Sequence, residues 1–557
     1  MPKLLLYGLI GWLILNLLQA ALTELLHDEA YYWIFSRRLS IVYFDQMPGV
    51  AYFIRAGSSI FPGEFGVRFL SVLLAPLTLL IYYRLTGVSD PKWFLAIAFS
   101  MVSIHFNGFF TSPDSVLSFT LALFLLAYKH FSDSPGWKEA LLLTLAAGIV
   151  GYSKYQGVLF ILVLALMQPR LMRRPAFWLV PIGFALLILP IYLTDPQTVE
   201  ATLRFQLFER GTSELSILKP LDFLSSQLVI LGPIATPLVV WAWIRYRPKD
   251  AFMRSIHRAS FVYFGILVLL SLRTKVEANW SAPILGCLIM FAVNYYAGLK
   301  GAWKWIRLVF VVSFIGILGL RAYLIWDFLP ASLSHKMRPE THGWKEWAQE
   351  VKSVCKDEPI VFWNTYQLPS KFWYYTGTPT TCISNSSYRR NQFSLLPIER
   401  ELQGKSVWLA AGFPHSTGGN IIPTPDGHKV YLIRVPRFYT YSEIRITADL
   451  PDRFIAGDSI DLPIHLHNEA PSGKLFLAPD DNRVTVGYSW IGDQHEGLWG
   501  EHPTDLRGQS ADIDRDMVIR IAVPTEPGKY ALSIHILSNL YQFSYNSDRI
   551  PVRVEAK

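Results

Sequence analysis

From Lys3 to about Trp326, apolar stretches of near membrane-spanning length follow one another with only short polar or aromatic breaks. A helix needs about 20 such residues to cross the hydrocarbon core of a bilayer. Beyond about Pro330, charged, Pro, Gly and Asn residues return at the frequency of water-soluble domains. The pattern predicts a polytopic α-helical membrane domain over 1–330, then a soluble α/β unit over 331–438 and a β-sandwich-like domain over 439–557. The composition, 51% hydrophobic and 17% charged, lies on the membrane side of globular usage.

The first stretch, Leu4 to Leu22, is read as a retained helix, because the Thr23-Glu24-Leu25-Leu26-His27-Asp28-Glu29 run after it lacks the small residues of a cleavage site. Further spans are expected near 67–84, 93–110, 112–131, 137–152, 156–168, 175–194, 223–243, 259–272, 278–296 and 303–326, about eleven in all. With a cytoplasmic N-terminus, the inside connections include Pro169 to Arg174, Arg245 to Arg258 and Lys300 to Lys304, which are rich in Lys and Arg. That placement follows the positive-inside rule. It explains much of the net charge of +8 without nucleic acid as a partner. The outer face then receives 23–66, 195–222, the turn Arg273-Thr274-Lys275-Val276-Glu277 and the soluble half.

Three carboxylates fall on that outer face. Asp28 opens an aromatic-rich interfacial helix, His27 to Arg38, where the positive end of the helix dipole favours an anion. Asp45 lies in the same outer segment, within Tyr43-Phe44-Asp45-Gln46-Met47-Pro48. Asp114 sits in the first turn of the span that Thr111-Ser112-Pro113-Asp114 begins, with Ser112 as cap and Pro113 at the first helical position. Each alone is explained by helix capping; three on one aqueous face point to a shared cavity. Outer-face cations are available at Arg55, Lys154, Arg204, Arg210, Arg273 and Lys275. Lys154, in a short turn flanked by tyrosines, is the leading candidate to meet a phosphate. The set suits displacement at an anomeric carbon: a base activates the acceptor oxygen, and cations or a metal receive the phosphate leaving group.

Five motifs in order carry a family resemblance: Asp28-Glu29-Ala30-Tyr31-Tyr32-Trp33, Tyr43-Phe44-Asp45-Gln46-Met47-Pro48-Gly49-Val50, Glu64-Phe65-Gly66-Val67-Arg68, Thr111-Ser112-Pro113-Asp114 and Ser153-Lys154-Tyr155. Together they resemble the bacterial branch of the dolichyl-phosphate-mannose:protein mannosyltransferase superfamily, similar to the aminoarabinose transferases of lipid A. The likeness runs to about Trp280. It implies the GT-C fold, a polyprenyl-phosphate sugar donor, and inverting transfer to lipid A, another glycolipid, a polysaccharide or a protein. It also implies a bacterial inner membrane with the chemistry on its periplasmic face. Asp28 falls on the family's catalytic acidic position and Asp114 on its second. Donor-phosphate contacts are then expected from Lys154, Arg55, Arg273 and Lys275. Asp45 falls where some members hold a divalent metal cation, the one cofactor implied. Relatives often carry a basic residue and a double proline where this chain has Gln46-Met47-Pro48. A charged Asp114 suits a cation partner better than proton abstraction, which leaves Asp28 as the candidate base.

In the soluble half, a helix at 344–354, a strand at 359–363, a helix at 370–375 and strands at 406–411 and 429–434 predict a small α/β unit. No glycine-rich phosphate loop follows these strands. Short strands at 443–448, 459–466, 484–490, 517–523, 529–537 and 550–554 predict a β-sandwich. His465, His467, His495 and His502 match no metal-binding spacing and read as surface residues. Cys355 and Cys382 share this half and can pair if it faces an oxidising compartment. A flippase for lipid-linked sugars is the alternative function, although its expected mid-membrane charges and repeated halves are not evident. A membrane-anchored glycan-binding protein would leave the three aspartates without a role.

Overall fold

The computed structural model describes residues 1–204, 215–328, 330, 338–385, 388, 390–414, 419–468, 483–492, 498–504, 506, 514–538 and 546–557. They form two compact units, Met1–Lys345 and Glu346–Lys557.

The first unit is helical, and it opens with α1 (Lys3–Leu22), α2 (His27–Arg37), α3 (Gly49–Ser58), α4 (Gly63–Thr86), α5 (Pro91–Ala98), α6 (Val102–Phe109), α7 (Pro113–Asp133), α8 (Trp137–Gly151) and α9 (Tyr155–Leu166). Among the described residues, seven helices are long and apolar enough to cross a membrane: α1, α4, α7 and those at Pro175–Thr194, Ala251–Ser271, Ala278–Ala297 and Ala302–Ile325. The span expected over 223–243 is a helix pair, Leu218–Leu231 and Ala235–Arg245, bent by 108°. Its break has a local cause: Gly232 takes φ 94°, and Pro233 after it has no amide proton to donate. The span expected over 93–110 divides into α5 and α6 around Phe99–Met101, while α8 and α9 have 15 and 12 residues. All eleven expected stretches are thus helical, but three are shorter than a full crossing.

Burial sorts the helices into centre and rim. In the apolar window of Ala278–Ala297, 72% of the residues are buried, against 17% for Pro175–Thr194 and 28% for Ala302–Ile325. The rim helices expose Leu186, Leu193 and Ile315, side chains that acyl chains solvate as well as a protein core would. Polar contacts tie the rim inward. The guanidinium of Arg321 donates to Asn16, and the Arg321 carbonyl accepts from Gln19 at 3.2 Å.

The second unit begins with a mixed sheet of β1 (Ile360–Trp363), β2 (Thr381–Ile383), β3 (Val407–Ala411), β4 (Asn420–Pro423) and β5 (Lys429–Val435), in the order β2-β1-β3-β5-β4. β1 is parallel to β2 and β3, and β5 is antiparallel to β3 and β4. Two further sheets follow. One has β6 (Ile444–Ala448), β8 (Ser459–Asn468) and β11 (Asp514–Ala522); the other has β7 (Phe454–Ile455), β9 (Val484–Gly492), β10 (Trp499–Glu501), β12 (Gly528–Ser538) and β13 (Ile550–Glu555). Alternate residues of both, including Leu462, Ile464 and Ile519 from the first and Val486, Trp490 and Ile534 from the second, share one apolar core. That arrangement is a β-sandwich. Phe438 belongs to the core of the mixed sheet and Tyr441 to that of the sandwich, so the cores change over close to residue 438.

The pairing considered for Cys355 and Cys382 is not formed. Both are free, buried thiols, and burial pushes them up to about 12 and about 11, which makes them poor thiolates.

Candidate functional site

The site is built where α2 meets the first turns of α4 and α7. Glu29, in the first turn of α2, is almost wholly buried and faces Arg68 of α4, which is fully buried. Arg68 donates Nε to Glu29 Oε1 at 2.8 Å and Nη2 to Oε2 at 2.5 Å. Its other donors reach the carbonyls of Ala20, Thr23 and Glu24. The Glu29 carboxylate also accepts the amides of Leu26 and Thr111. A bidentate buried pair with its donors engaged fixes geometry more than it adds stability. Here it fastens the end of α1, the start of α2 and the Thr111 turn to one point.

Thr111 leads directly into the second cluster. Ser112 caps α7, exchanging hydrogen bonds with Ser115, and Pro113 occupies the first helical position, as the sequence predicts. Asp114 follows in the first turn, buried. Its Oδ1 takes Lys154 Nζ at 2.6 Å, and its Oδ2 accepts Asn279 Nδ2 at 2.7 Å. Lys154 is the residue before α9 and is also buried. A cation there meets the unfavourable end of the α9 dipole, whereas Asp114 sits at the favourable end of α7. Their pairing offsets the first and uses the second. With both oxygens engaged, Asp114 holds Lys154 and Asn279 in place and is poorly arranged to take a proton.

Asp45 is buried, with both carboxylate oxygens 3.3–3.4 Å from the Tyr31 hydroxyl of α2. The segment that carries it is tied to the Lys154 turn by the Gly49 amide, which donates to the Tyr152 carbonyl at 2.8 Å. A β-carbon on Gly49 would stand 2.8 Å from that oxygen and 3.3 Å from Ser153 Cα. Both are backbone atoms that cannot swing aside. Gly49→Ala is therefore expected to lower stability by about 1–3 kcal/mol, read as a lower melting temperature in detergent; an unchanged melt would show that this contact is soft. Among the described residues, no group of three His, Cys, Asp or Glu side chains includes Asp45. Protein ligands alone do not build a metal set there, so a cation at Asp45 would need substrate oxygens to complete its shell.

Asp28 is exposed in the first turn of α2, beside Glu29. The remaining cation candidates are not gathered at Asp114. Arg55 is exposed on α3, Arg273 is exposed after helix Ala251–Ser271, and Lys275 lies 3.4 Å from Glu277 with most of its side chain in solvent. The Arg204 side chain and Arg210 lie outside the described residues. Of the four singled-out cations whose side chains are described, Lys154 is the one that meets Asp114. Sequence reading gave no role to Asn279, Tyr31, Glu29 or Arg68. Glu29, Tyr31 and Arg68 stood within the quoted motifs, and that was their only signal.

Residues 45–193 match the family described as dolichyl-phosphate-mannose-protein mannosyltransferase. The chain is similar to the lipid A galacturonosyltransferase RgtD of Rhizobium johnstonii, at 26% identity over 301 residues. That alignment takes in 50% of this chain and 62% of RgtD, so the likeness spans less than two thirds of the relative's length. Two crystal structures of ArnT from Cupriavidus metallidurans share its fold. One is in the apo state, with TM-score 0.55 and 13% identity, and the other is bound to undecaprenyl phosphate, with TM-score 0.53 and 14% identity. Each comparison covers 77% of this chain and 97% of ArnT. The chain is an integral membrane protein with the GT-C fold, and it resembles the glycosyltransferases of this superfamily in motif order, sequence and architecture.

Proposed function

We propose that the chain transfers a sugar from a polyprenyl-phosphate donor to an acceptor such as lipid A, another glycolipid, a polysaccharide or a protein. The observation that carries this reading is the buried Asp114–Lys154 pair, which the exposed Asn279 joins through the second Asp114 oxygen, one turn along α7 from the Thr111 amide that Glu29 holds. A lysine held by one anion still has two donor positions for a phosphate oxygen. The acceptor oxygen attacks the anomeric carbon, the bond from that carbon to the phosphate oxygen breaks, and the polyprenyl phosphate leaves with the electron pair. Lys154 stabilises the departing charge. Asp28 takes the proton when the acceptor is a hydroxyl; an ionised phosphate acceptor needs no base, and Asp28 then only orients it. RgtD, named for lipid A, and ArnT, crystallised with undecaprenyl phosphate, support the acceptor and donor classes. The basic connections at 169–174, 245–258 and 300–304 support a cytoplasmic-membrane protein whose site faces outward.

Lys154→Gln is expected to lower kcat/KM for the lipid-linked donor by about 10–100-fold, the loss of one charge-assisted hydrogen bond of ~1.5–3 kcal/mol. Inhibition by free undecaprenyl phosphate should weaken in parallel, and Lys154→Arg should recover part of both. A variant that folds and keeps its donor kinetics would remove Lys154 from the phosphate site.

A further inference from the structure

The outer face of the three-stranded sheet of the sandwich carries an array that the linear order of residues conceals. Along β8, Leu462, Ile464 and Leu466 point into the core, so His465 and His467 share the opposite face. β11 pairs antiparallel with β8 in a register that sets Asp516 opposite His465 and Asp514 opposite His467. Directly opposed residues stand on the same face of a sheet. The side chains meet: His465 Nε2 lies 2.6 Å from Asp514 Oδ1, His465 Nδ1 lies 2.7 Å from Asp516 Oδ1, and His467 Nδ1 lies 3.7 Å from Asp514 Oδ1. One ligand atom from each of His465, His467 and Asp514 falls within 4.8 Å of the other two.

We infer that His465 Nε2, His467 Nδ1 and Asp514 form a three-ligand site for a divalent transition metal of the zinc class, with a fourth position open. Two imidazoles and a carboxylate are a donor set such ions prefer. A tetrahedral ion has ligand atoms about 2.0–2.2 Å away, so the three need only small side-chain rotations on exposed positions to close around it. The ion takes the place of the proton now shared between His465 Nε2 and Asp514. Asp516 then has a defined part as well. It accepts the Nδ1 proton of His465 and fixes the ring with Nε2 towards the metal, as a carboxylate behind a metal-bound histidine does. All its residues belong to the second unit, and the inference does not rest on the transfer reaction.

The test uses the full chain in detergent, carrying an affinity tag without histidine, stripped with chelator and titrated with Zn²⁺ by calorimetry and by metal analysis after desalting. Wild type should take up one equivalent more than His465→Ala/His467→Ala. Asp516→Asn should keep the equivalent but bind about 10–100-fold more weakly. Circular dichroism of the metal-free proteins should coincide, because all four side chains lie on the outer face. Equal uptake by wild type and the double variant would overturn the assignment and leave the array as surface ion pairs. Wild-type affinity in Asp516→Asn would remove Asp516 from it.

Discussion

Replacing Arg68 by methionine is expected to destabilise the membrane unit by about 3–5 kcal/mol, the usual result of removing one partner of a buried ion pair. The cause is specific. Glu29 would keep only the amides of Leu26 and Thr111, and the carbonyls of Ala20, Thr23 and Glu24 would lose their donor. A buried carboxylate with too few donors costs more than the pair itself contributes. The measurement is thermal or denaturant unfolding in detergent, with Glu29→Gln and the Glu29→Gln/Arg68→Met double variant beside it. The double variant should be more stable than Arg68→Met alone, because it no longer buries an unpaired charge. If the single variant unfolds like wild type, the lock is not what holds α1, α2 and α7 together.

Asp28→Asn is expected to leave melting nearly unchanged and to lower turnover by about 10²–10⁴-fold with a hydroxyl acceptor. Asp28 is exposed, and asparagine gives up only the favourable placement of its charge at the start of α2, a contribution of about 0.3–1 kcal/mol. Asparagine keeps its shape and removes its basicity. The effect should therefore fall on kcat with little change in KM, the sign of a group acting in the transition state. With a phosphate acceptor the loss should shrink, because nothing remains to deprotonate. A folded variant with wild-type turnover on a hydroxyl acceptor would exclude Asp28 as the base.

How far the sequence disclosed this molecule depended on how local each signal is. Apolar runs and Lys/Arg-rich connections are properties of contiguous segments, and helices stand at all the expected stretches. The cap at Ser112 and Pro113 was legible for the same reason. Three of those stretches, α5 with α6, α8 and α9, are shorter than a crossing, and hydropathy did not reveal it, because an apolar run reads the same whether it meets a protein wall, as α5 does, or is left open on one side, as at Leu141 and Leu145 of α8. The strands of the sandwich were legible from alternation and turn residues, whereas the two- and three-residue strands β7, β2 and β10 were too short to show it.

The site was legible only at its charged ends. Asp114 and Lys154 could be named from helix starts and turns, but their contact spans 40 residues and that with Asn279 spans 165. An asparagine in an exposed turn carries no signal until the fold places it. His465 and His467 read as surface residues because their partner carboxylates arrive on another strand, with Asp516 51 positions from His465. His495, considered with them, lies outside the described residues.

The central claim, that the chain itself breaks the sugar–phosphate bond, is tested most directly in detergent micelles, where no bilayer remains to be crossed. Purified wild-type protein is incubated with a panel of labelled polyprenyl-phosphate sugars and a lipid A or membrane-lipid acceptor, and the products are resolved. The expected result is label on the acceptor from one donor of the panel, with an equal amount of free polyprenyl phosphate. Intact donors throughout the panel, together with movement of the lipid-linked sugar across the membrane by the same protein in vesicles, would contradict it and favour a flippase.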